Sequence, residues 1–149
     1  MMKTLMKTMM TSISEVMETM FFMPVEIKEE VESLGGSINQ YEPDMACRLE
    51  FTGDYSGTVI LVIPEQLLEE MAENFMGESK EDLTKEHLSG ILTESLNMIC
   101  GNGLKNIESK EPFELGIPEI INTKEISEDL SFNIIRTSDC AMAMNISSL

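Results

Sequence analysis

The spacing of apolar residues predicts a long helix at the start of the chain. Apolar side chains recur there at the helical period and fall on one stripe: Ile13, Val16, Met17, Met20 and Phe21. Pro24 is expected to end this helix near Met23, because proline cannot continue the helical hydrogen bonding. Residues 26–43 contain two adjacent glycines and many carboxylates, so we expect connecting structure with room for one irregular strand.

A β-hairpin is the clearest signal in the next part of the chain. Residues 46–52 and 58–63 are strand-like, and the sequence Gly-Asp-Tyr-Ser-Gly between them has the composition of a turn. Pro64 is expected at the start of a helix over residues 65–76, where its missing N–H is tolerated, and Gly77 can cap that helix. The stripe predicted to be buried consists of Leu67, Leu68, Met71, Ala72 and Phe75.

The second half of the chain predicts another long helix followed by strands. The helix is expected from near Thr84, a suitable N-cap, to about Gly103. Three strand-like segments follow, at residues 113–122, 131–137 and 140–147. This order of elements predicts a two-layer α/β (α+β) fold in one domain spanning residues 1–149, with long helices packed on a largely antiparallel sheet.

The two halves of the chain also show a weak internal repeat. Each half has a helix followed by a pair of strands. When Glu15 is aligned with Glu94, Glu18 falls opposite Asn97, 79 residues further along. We therefore expect pseudo-symmetric halves.

Composition argues against several classes of function. A formal net charge of -17 repels nucleic acid and anionic membrane surfaces, so neither is an expected partner. No apolar run reaches the roughly 20 residues of a membrane span, and the first ten residues do not resemble a signal peptide. Three widely spaced cysteines, Cys47, Cys100 and Cys140, fit a reducing cytoplasm, which is the expected location. His87 is the only histidine and no CxxC pair occurs, so no metal site is expected.

The long helix of residues 84–103 has two chemically different faces when it is turned at about 100° per residue. One face is a typical core face: Leu88, Leu92, Ser95, Leu96, Ile99 and Gly103. The opposite face gathers His87, Gly90, Glu94, Asn97 and Gly101 within a narrow arc. Glu94 and Asn97 are three residues apart, so their side chains are neighbours.

The two glycines on this polar face need an explanation. A glycine inside a helix costs about 1 kcal/mol relative to alanine. Gly90 and Gly101 on either side of Glu94 and Asn97 predict a low, open patch that another protein can approach closely. A structural interpretation stays open, because a surface Glu and Asn are often merely solvated and glycines also relieve contacts between helices.

The run Glu94-Ser-Leu-Asn97-Met-Ile-Cys-Gly101-Asn102 resembles the ExxN-x-x-x-GN signature of the CheC/CheX/FliY phosphatase family. The upstream pattern is also similar to CheX, in the turn at residues 51–57, the strand-to-helix entry at residues 62–65 and the Phe-Met-Gly at residues 75–77. The similarity covers roughly residues 44–107 and is looser elsewhere.

The chain departs from the CheC-type pattern in three places. That pattern has Asp or Ser one turn before the Glu, where this chain has Gly90, and a later proline, to which Pro118 corresponds slightly early. CheC-like members carry two ExxN helices, whereas the first helix here reads Glu15-Val-Met-Glu18 and lacks the amide. The resemblance therefore favours the CheX type, with one site per chain.

What the resemblance implies is hydrolysis of the aspartyl phosphate of a phosphorylated CheY-like response regulator. Asn97 would orient the attacking water without adding a negative charge near the phosphoryl oxygens, and Glu94 would pair with a lysine of the regulator. Gly90 and Gly101 would belong to the partner-binding surface. The chain would need no cofactor of its own, with Mg²⁺ expected in the regulator.

The resemblance also implies a homodimer, and residues 140–147 alternate apolar and smaller side chains in a way that can pair across a sheet edge. Two alternatives to the phosphatase remain at this stage. One is a non-catalytic module that binds a response regulator or a flagellar switch component. The other is an unrelated acidic scaffold with an accidental ExxN. No P-loop, GxSxG, HExxH or GxGxxG pattern supports another enzyme class.

Overall fold

The computed structural model describes residues 2–33 and 43–148. The helices are α1 (Met2–Met20), α2 (Glu65–Met76) and α3 (Lys85–Lys105), with short 3₁₀ turns at Lys80–Asp82 and Thr123–Glu125. The strands are β1 (Glu26–Ser33), β2 (Asp44–Thr52), β3 (Gly57–Pro64), β4 (Glu114–Leu115), β5 (Glu119–Ile121), β6 (Ser131–Arg136) and β7 (Ala141–Ser148). Part of the connecting structure expected at residues 26–43 lies outside the described residues.

The described strands form one antiparallel sheet whose order is symmetric. The order is β1-β6-β7-β3-β2-β4, with β5 also paired to β2. If β1 is exchanged with the β4–β5 pair, β2 with β6 and β3 with β7, the same order results when the sheet is read from its opposite end. Helix α1 precedes β1 as α3 precedes β4, so the expected pseudo-symmetric halves appear in the topology.

The sheet has a large apolar core on its helix-covered face and a smaller one on the other face. Leu61, Ile63 and Met142 pack with the buried residues of the three helices. The second cluster consists of Ala46, Ile60, Val62, Phe132, Ile134, Ala141 and Ala143. Ile126 and Leu130, in the segment before β6, pack against this second cluster. The observed architecture is the predicted one of helices packed on a largely antiparallel sheet.

The predicted hairpin and the helix after it are confirmed with one error. Strands β2 and β3 pair in register from Asp44 with Pro64 to Phe51 with Gly57. Gly77 adopts a left-handed conformation, with φ of 71°, and its N–H donates to the Glu73 carbonyl. Phe75 was expected to be buried, but it is 47% exposed and packs beside Phe21 with ring centroids 5.8 Å apart.

Helix α1 is shorter than predicted. It ends at Met20 rather than near Met23, and Phe22 takes a left-handed φ of 56° that turns the chain away. The predicted stripe is buried apart from Met20, which is half-buried. Strand β1 follows, and its register against β6 shifts between Ile27 and Val31, so it is the irregular strand that the sequence allowed. In residues 2–33 and 43–148 no helix is long and apolar enough to cross a membrane.

The expectation that the last strand pairs across a sheet edge is wrong. Strand β7 lies inside the sheet, paired with β6 on one side and with β3 on the other. Its backbone groups are therefore already used within the chain. In the described part of the molecule the sheet ends are β1 and the β4–β5 pair. The homodimer itself stays a prediction, and among the described strands these two ends are the ones that leave an edge for pairing through the sheet.

Candidate functional site

Helix α3 begins with a reciprocal cap. The Thr84 hydroxyl oxygen accepts from the His87 backbone N–H at 3.3 Å, and His87 Nδ1 accepts from the Thr84 backbone N–H at 3.1 Å. In this arrangement the histidine does what Glu or Gln does in the usual capping box. The sequence predicted Thr84 as the cap, but it placed His87 only on the polar face and gave it no structural role.

The inward face of α3 anchors the helix in the core. Leu92, Leu96 and Ile99 are all fully buried, as the sequence predicted. Cys100 is also buried, and burial raises the pKa of its thiol to about 12. Burial likewise raises the pKa of the Cys47 thiol, which donates to the Leu92 carbonyl at 3.7 Å. Both thiols therefore stay protonated at neutral pH and contribute packing, not nucleophilic chemistry.

The outward face of α3 presents Glu94 and Asn97 to solvent. Both side chains are exposed, and neither has a hydrogen bond or an ion pair to any residue in the described part of the chain. They stand one turn apart on a helix that is fixed on its other side by the core. A free carboxylate and a free amide in this setting form an exposed surface that is open to another molecule, rather than an enclosed pocket.

The three glycines of α3 have different surroundings. A Cβ added at Gly103 would lie 2.5 Å from Met9 Sδ and 3.4 Å from Ser12 Cβ, so this glycine allows α1 and α3 to pack closely. A Cβ at Gly90 would meet nothing within 4 Å, and one at Gly101 would touch only Leu115 Cδ1, at an ordinary 3.8 Å. Packing within the chain therefore explains Gly103 and does not explain Gly90 or Gly101.

A polar contact fixes the register between α1 and α3. The Asn102 side-chain amide donates to the Glu15 carboxylate at 2.8 Å and lies 3.1 Å from the Ser12 hydroxyl oxygen. The buried Ser12 hydroxyl in turn donates to the Ile99 carbonyl at 2.7 Å. The sequence included Asn102 in the motif without giving it a role, because a contact between residues 87 positions apart leaves no periodic signal.

The chemistry available at this surface is positioning and electrostatics. In the described residues no group of three or more His, Cys, Asp or Glu side chains could hold a metal ion. The amide of Asn97 can donate and accept hydrogen bonds, whereas the carboxylate of Glu94 accepts them and attracts a cation. The arrangement suits a partner that brings its own reactive group and a positive charge.

Comparison with known proteins gives the family. The family model described as "Chemotaxis phosphatase CheX" matches residues 45–135, which is more than half of the 149-residue chain. The chain belongs to the CheX family of chemotaxis phosphatases. The matched segment includes all of α3, and therefore Glu94, Asn97 and both exposed-face glycines. No curated protein matches the chain in sequence.

Solved structures share the fold of this CheX-family chain at low sequence identity. CheX from Vibrio vulnificus is 18% identical with a TM-score of 0.78, and the match covers 97% of this chain and 99% of that one. A CheC-like superfamily protein from Shewanella sp. PV-4 is 19% identical with a TM-score of 0.72, covering 96% of each chain. CheX from Borrelia burgdorferi, solved as a complex with CheY, BeF3 and Mg²⁺, is 15% identical with a TM-score of 0.68, covering 96% of each chain.

Proposed function

We propose that this CheX-family chain hydrolyses the aspartyl phosphate of a CheY-like response regulator through the outward face of α3. The observation that supports this most strongly is the exposed, unpaired state of Glu94 and Asn97 on a helix whose other face is buried in the core. No contact within the described part of the chain gives either side chain a structural role. These two are instead available to a partner.

Asn97 is proposed to orient the water that attacks the phosphorus atom. As the new P–O bond forms, the bond between phosphorus and the aspartate oxygen breaks, giving inorganic phosphate and a free carboxylate on the regulator. An aspartyl phosphate is already activated, so holding the water in line is the main contribution that remains. A neutral amide does this without repelling the phosphoryl oxygens, as a carboxylate would.

Glu94 is proposed to dock the regulator by pairing with a lysine beside its phosphorylation site. The carboxylate is exposed and has no partner among the described residues, so it is free to form such a pair. An ion pair one turn from Asn97 would set the register of the helix against the regulator. Gly90 and Gly101 would let the regulator's backbone come close on both sides, because a side chain is missing at each end of this face.

The partner is proposed from the likeness to the Borrelia burgdorferi CheX that was solved with CheY, BeF3 and Mg²⁺. We expect the same kind of partner here, in the cytoplasm, and we expect the regulator to hold its own Mg²⁺ to neutralise phosphoryl charge. The net charge of -17 makes a neutral amide more suitable than a further carboxylate next to the phosphate.

A phosphate-release assay with a phosphorylated stand-alone receiver domain tests this proposal. The wild-type chain should release phosphate well above the rate of the receiver alone, and Asn97→Ala at the same concentration should return the rate to that baseline. If the wild-type chain binds the receiver tightly and leaves its phosphate lifetime unchanged, the chain is a binding module and the proposal fails.

A further inference from the structure

A groove opens at the Gly101 end of the outward face of α3. Its apolar lining comes from Gly101, Leu104, Ile107, Pro112, Phe113 and Leu115, and its volume is about 280 Å³. Lys105 and Ser109 also line it. We call this feature the Gly101 groove. A volume of this size is enough for one leucine, methionine or phenylalanine side chain.

The far wall of the Gly101 groove is fixed without any ligand. The Phe113 ring packs edge-on against Phe51 and Tyr55, with centroid distances of 6.0 and 5.1 Å. The backbone N–H of Lys110 donates to the Asp54 carboxylate at 2.7 Å, which ties the loop before β4 to the β2–β3 turn. A preformed groove costs little ordering when a side chain enters it.

The near wall is formed where α3 lacks a side chain. Gly101 has space for a Cβ, with only Leu115 Cδ1 at 3.8 Å, so packing within the chain does not require the glycine. A larger side chain at this position would project into the groove and narrow it. The helix therefore gives up roughly 1 kcal/mol of helix propensity at Gly101, and the visible result is an open groove.

The groove lies within the area that a regulator docked on Glu94 and Asn97 would cover. Gly101 is one helical turn beyond Asn97, a rise of about 6 Å along α3. A standard protein interface buries about 800 Å² on each partner, which is a patch of roughly 16 Å radius. A receiver domain seated over Glu94 and Asn97 would therefore extend across the groove.

We infer that the Gly101 groove receives one apolar side chain of the docked response regulator. This inference rests on the proposed function, and it adds a second contact whose role is affinity and choice of regulator. The contact would fix the regulator at a point beyond the ion pair of Glu94. It would also distinguish regulators that carry a large apolar residue at the matching place from those that carry a charged one.

The direct test fills the groove without disturbing the helix. Gly101→Leu replaces glycine with a good helix former, so the variant is expected to fold, which circular dichroism and thermal unfolding can verify. The Kd of a beryllofluoride-activated receiver domain should rise about tenfold for Gly101→Leu, and less for Gly101→Ala. The KM for the phosphorylated receiver should rise more than kcat falls. Glu128→Leu adds the same side chain at an exposed position two residues before Leu130, which packs on the opposite face of the sheet, and its Kd should match that of the wild type.

A second measurement uses the wild-type chain in complex with the activated receiver. With methyl labelling, Leu104 and Leu115 should show intermolecular nuclear Overhauser effects to an apolar residue of the activated receiver. An unchanged Kd for Gly101→Leu, or no such effects in a complex that forms normally, would overturn the inference. If Gly101→Leu alters self-association but not receiver affinity, the inference is also overturned, since the groove would then be occupied by a second copy of the chain. In each of these cases, loss of turnover in Asn97→Ala would leave the proposed hydrolysis standing, although an unchanged Kd for Gly101→Leu would also remove Gly101 from the surface that the regulator's backbone approaches.

Discussion

Helices α1 and α3 hold equivalent places in the two halves of the fold, but they present different chemistry to solvent. On α3 the pair is Glu94 and Asn97, and both side chains are free of partners among the described residues. On α1 the aligned residues are Glu15 and Glu18, so the amide is missing. The Glu15 carboxylate also accepts a hydrogen bond from Asn102 on α3 itself.

One copy of the repeated helix supports the other. Helix α1 has no glycine, whereas α3 has three, and only Gly103 is explained by contact with α1. The contacts of Glu15 and Ser12 hold α3 in place, while the exposed face of α3 stays free. A fold with two equivalent helices can thus keep one accessible for a partner and use the other to fix its register.

The largest expected difference between the helices comes from placing a charge at the amide position. Asn97→Asp should lower the rate of receiver dephosphorylation by about 100-fold or more, because the water loses its guide and a carboxylate faces the phosphoryl group. Glu18→Ala on α1 should leave the rate unchanged. Loss of phosphate from the labelled receiver measures both. Equal losses in the two variants would mean that α1 also takes part.

Adding the missing amide to α1 tests whether that helix can form a second site. In the Asn97→Ala background, Glu18→Asn should restore no turnover, because Glu15 on that helix is already bonded to Asn102. Recovery of phosphate release in the double variant would show that α1 forms a second working site.

Replacing the glutamates of the two helices should affect receiver binding differently, and this difference should be smaller than the one at the amide position. Glu94→Ala should weaken receiver binding by about tenfold and reduce turnover, because it removes one partner of the proposed docking ion pair. Glu15→Ala should leave receiver affinity near the wild-type value, since that carboxylate bonds within the chain. Titration with a beryllofluoride-activated receiver gives both affinities, and a stronger effect of Glu15→Ala would reverse the assignment.

Replacing Gly90 and Gly103 of α3 with alanine should change the free energy of unfolding in opposite directions. Gly90→Ala should raise the free energy of unfolding by up to about 1 kcal/mol, because the space is open and alanine favours the helix. Gly103→Ala should lower it by about 1 kcal/mol, since strain against Met9 and Ser12 outweighs the gain in propensity. Urea unfolding measures both changes. If Gly90→Ala is destabilising, the glycine has a structural role and its place in the partner surface is lost.

The smallest expected effect is at the contact between the helices. Asn102→Ala should lower the free energy of unfolding by about 0.5 to 1 kcal/mol, because the Ser12 hydroxyl keeps its bond to the Ile99 carbonyl. Urea unfolding and the receiver titration should both be run on this variant. An effect on affinity as large as that of Glu94→Ala would mean that Asn102 contacts the regulator directly.

Regular features of the fold were predictable from the sequence because they leave local signals. The hairpin at β2 and β3, the glycine cap of α2 and the Thr84 cap of α3 all depend on residues close in the chain. The exposure of Glu94 and Asn97 also followed from the helical period.

Features that depend on distant contacts were not predictable in the same way. The alternating residues 140–147 were expected to pair across a sheet edge, but β7 lies between β6 and β3. Alternation with period 2 shows which side chains share a face of the sheet and carries no information on the order of the strands. Phe75 lies on the apolar stripe of α2, yet it sits at the end of the helix where Phe21 covers only part of its ring. The bond from Asn102 to Glu15 and the Gly101 groove arise only when separate segments meet.

The most direct test of the proposed role of Asn97 measures receiver binding and turnover separately in one variant. Asn97→Ala should bind a beryllofluoride-activated receiver with a Kd within about threefold of the wild-type value, because the proposed ion pair of Glu94 remains. At saturating concentration the same variant should leave the phosphorylated receiver decaying at its own rate. Wild-type turnover by Asn97→Ala would contradict the proposed mechanism, and loss of turnover explained entirely by loss of binding would assign Asn97 to docking instead.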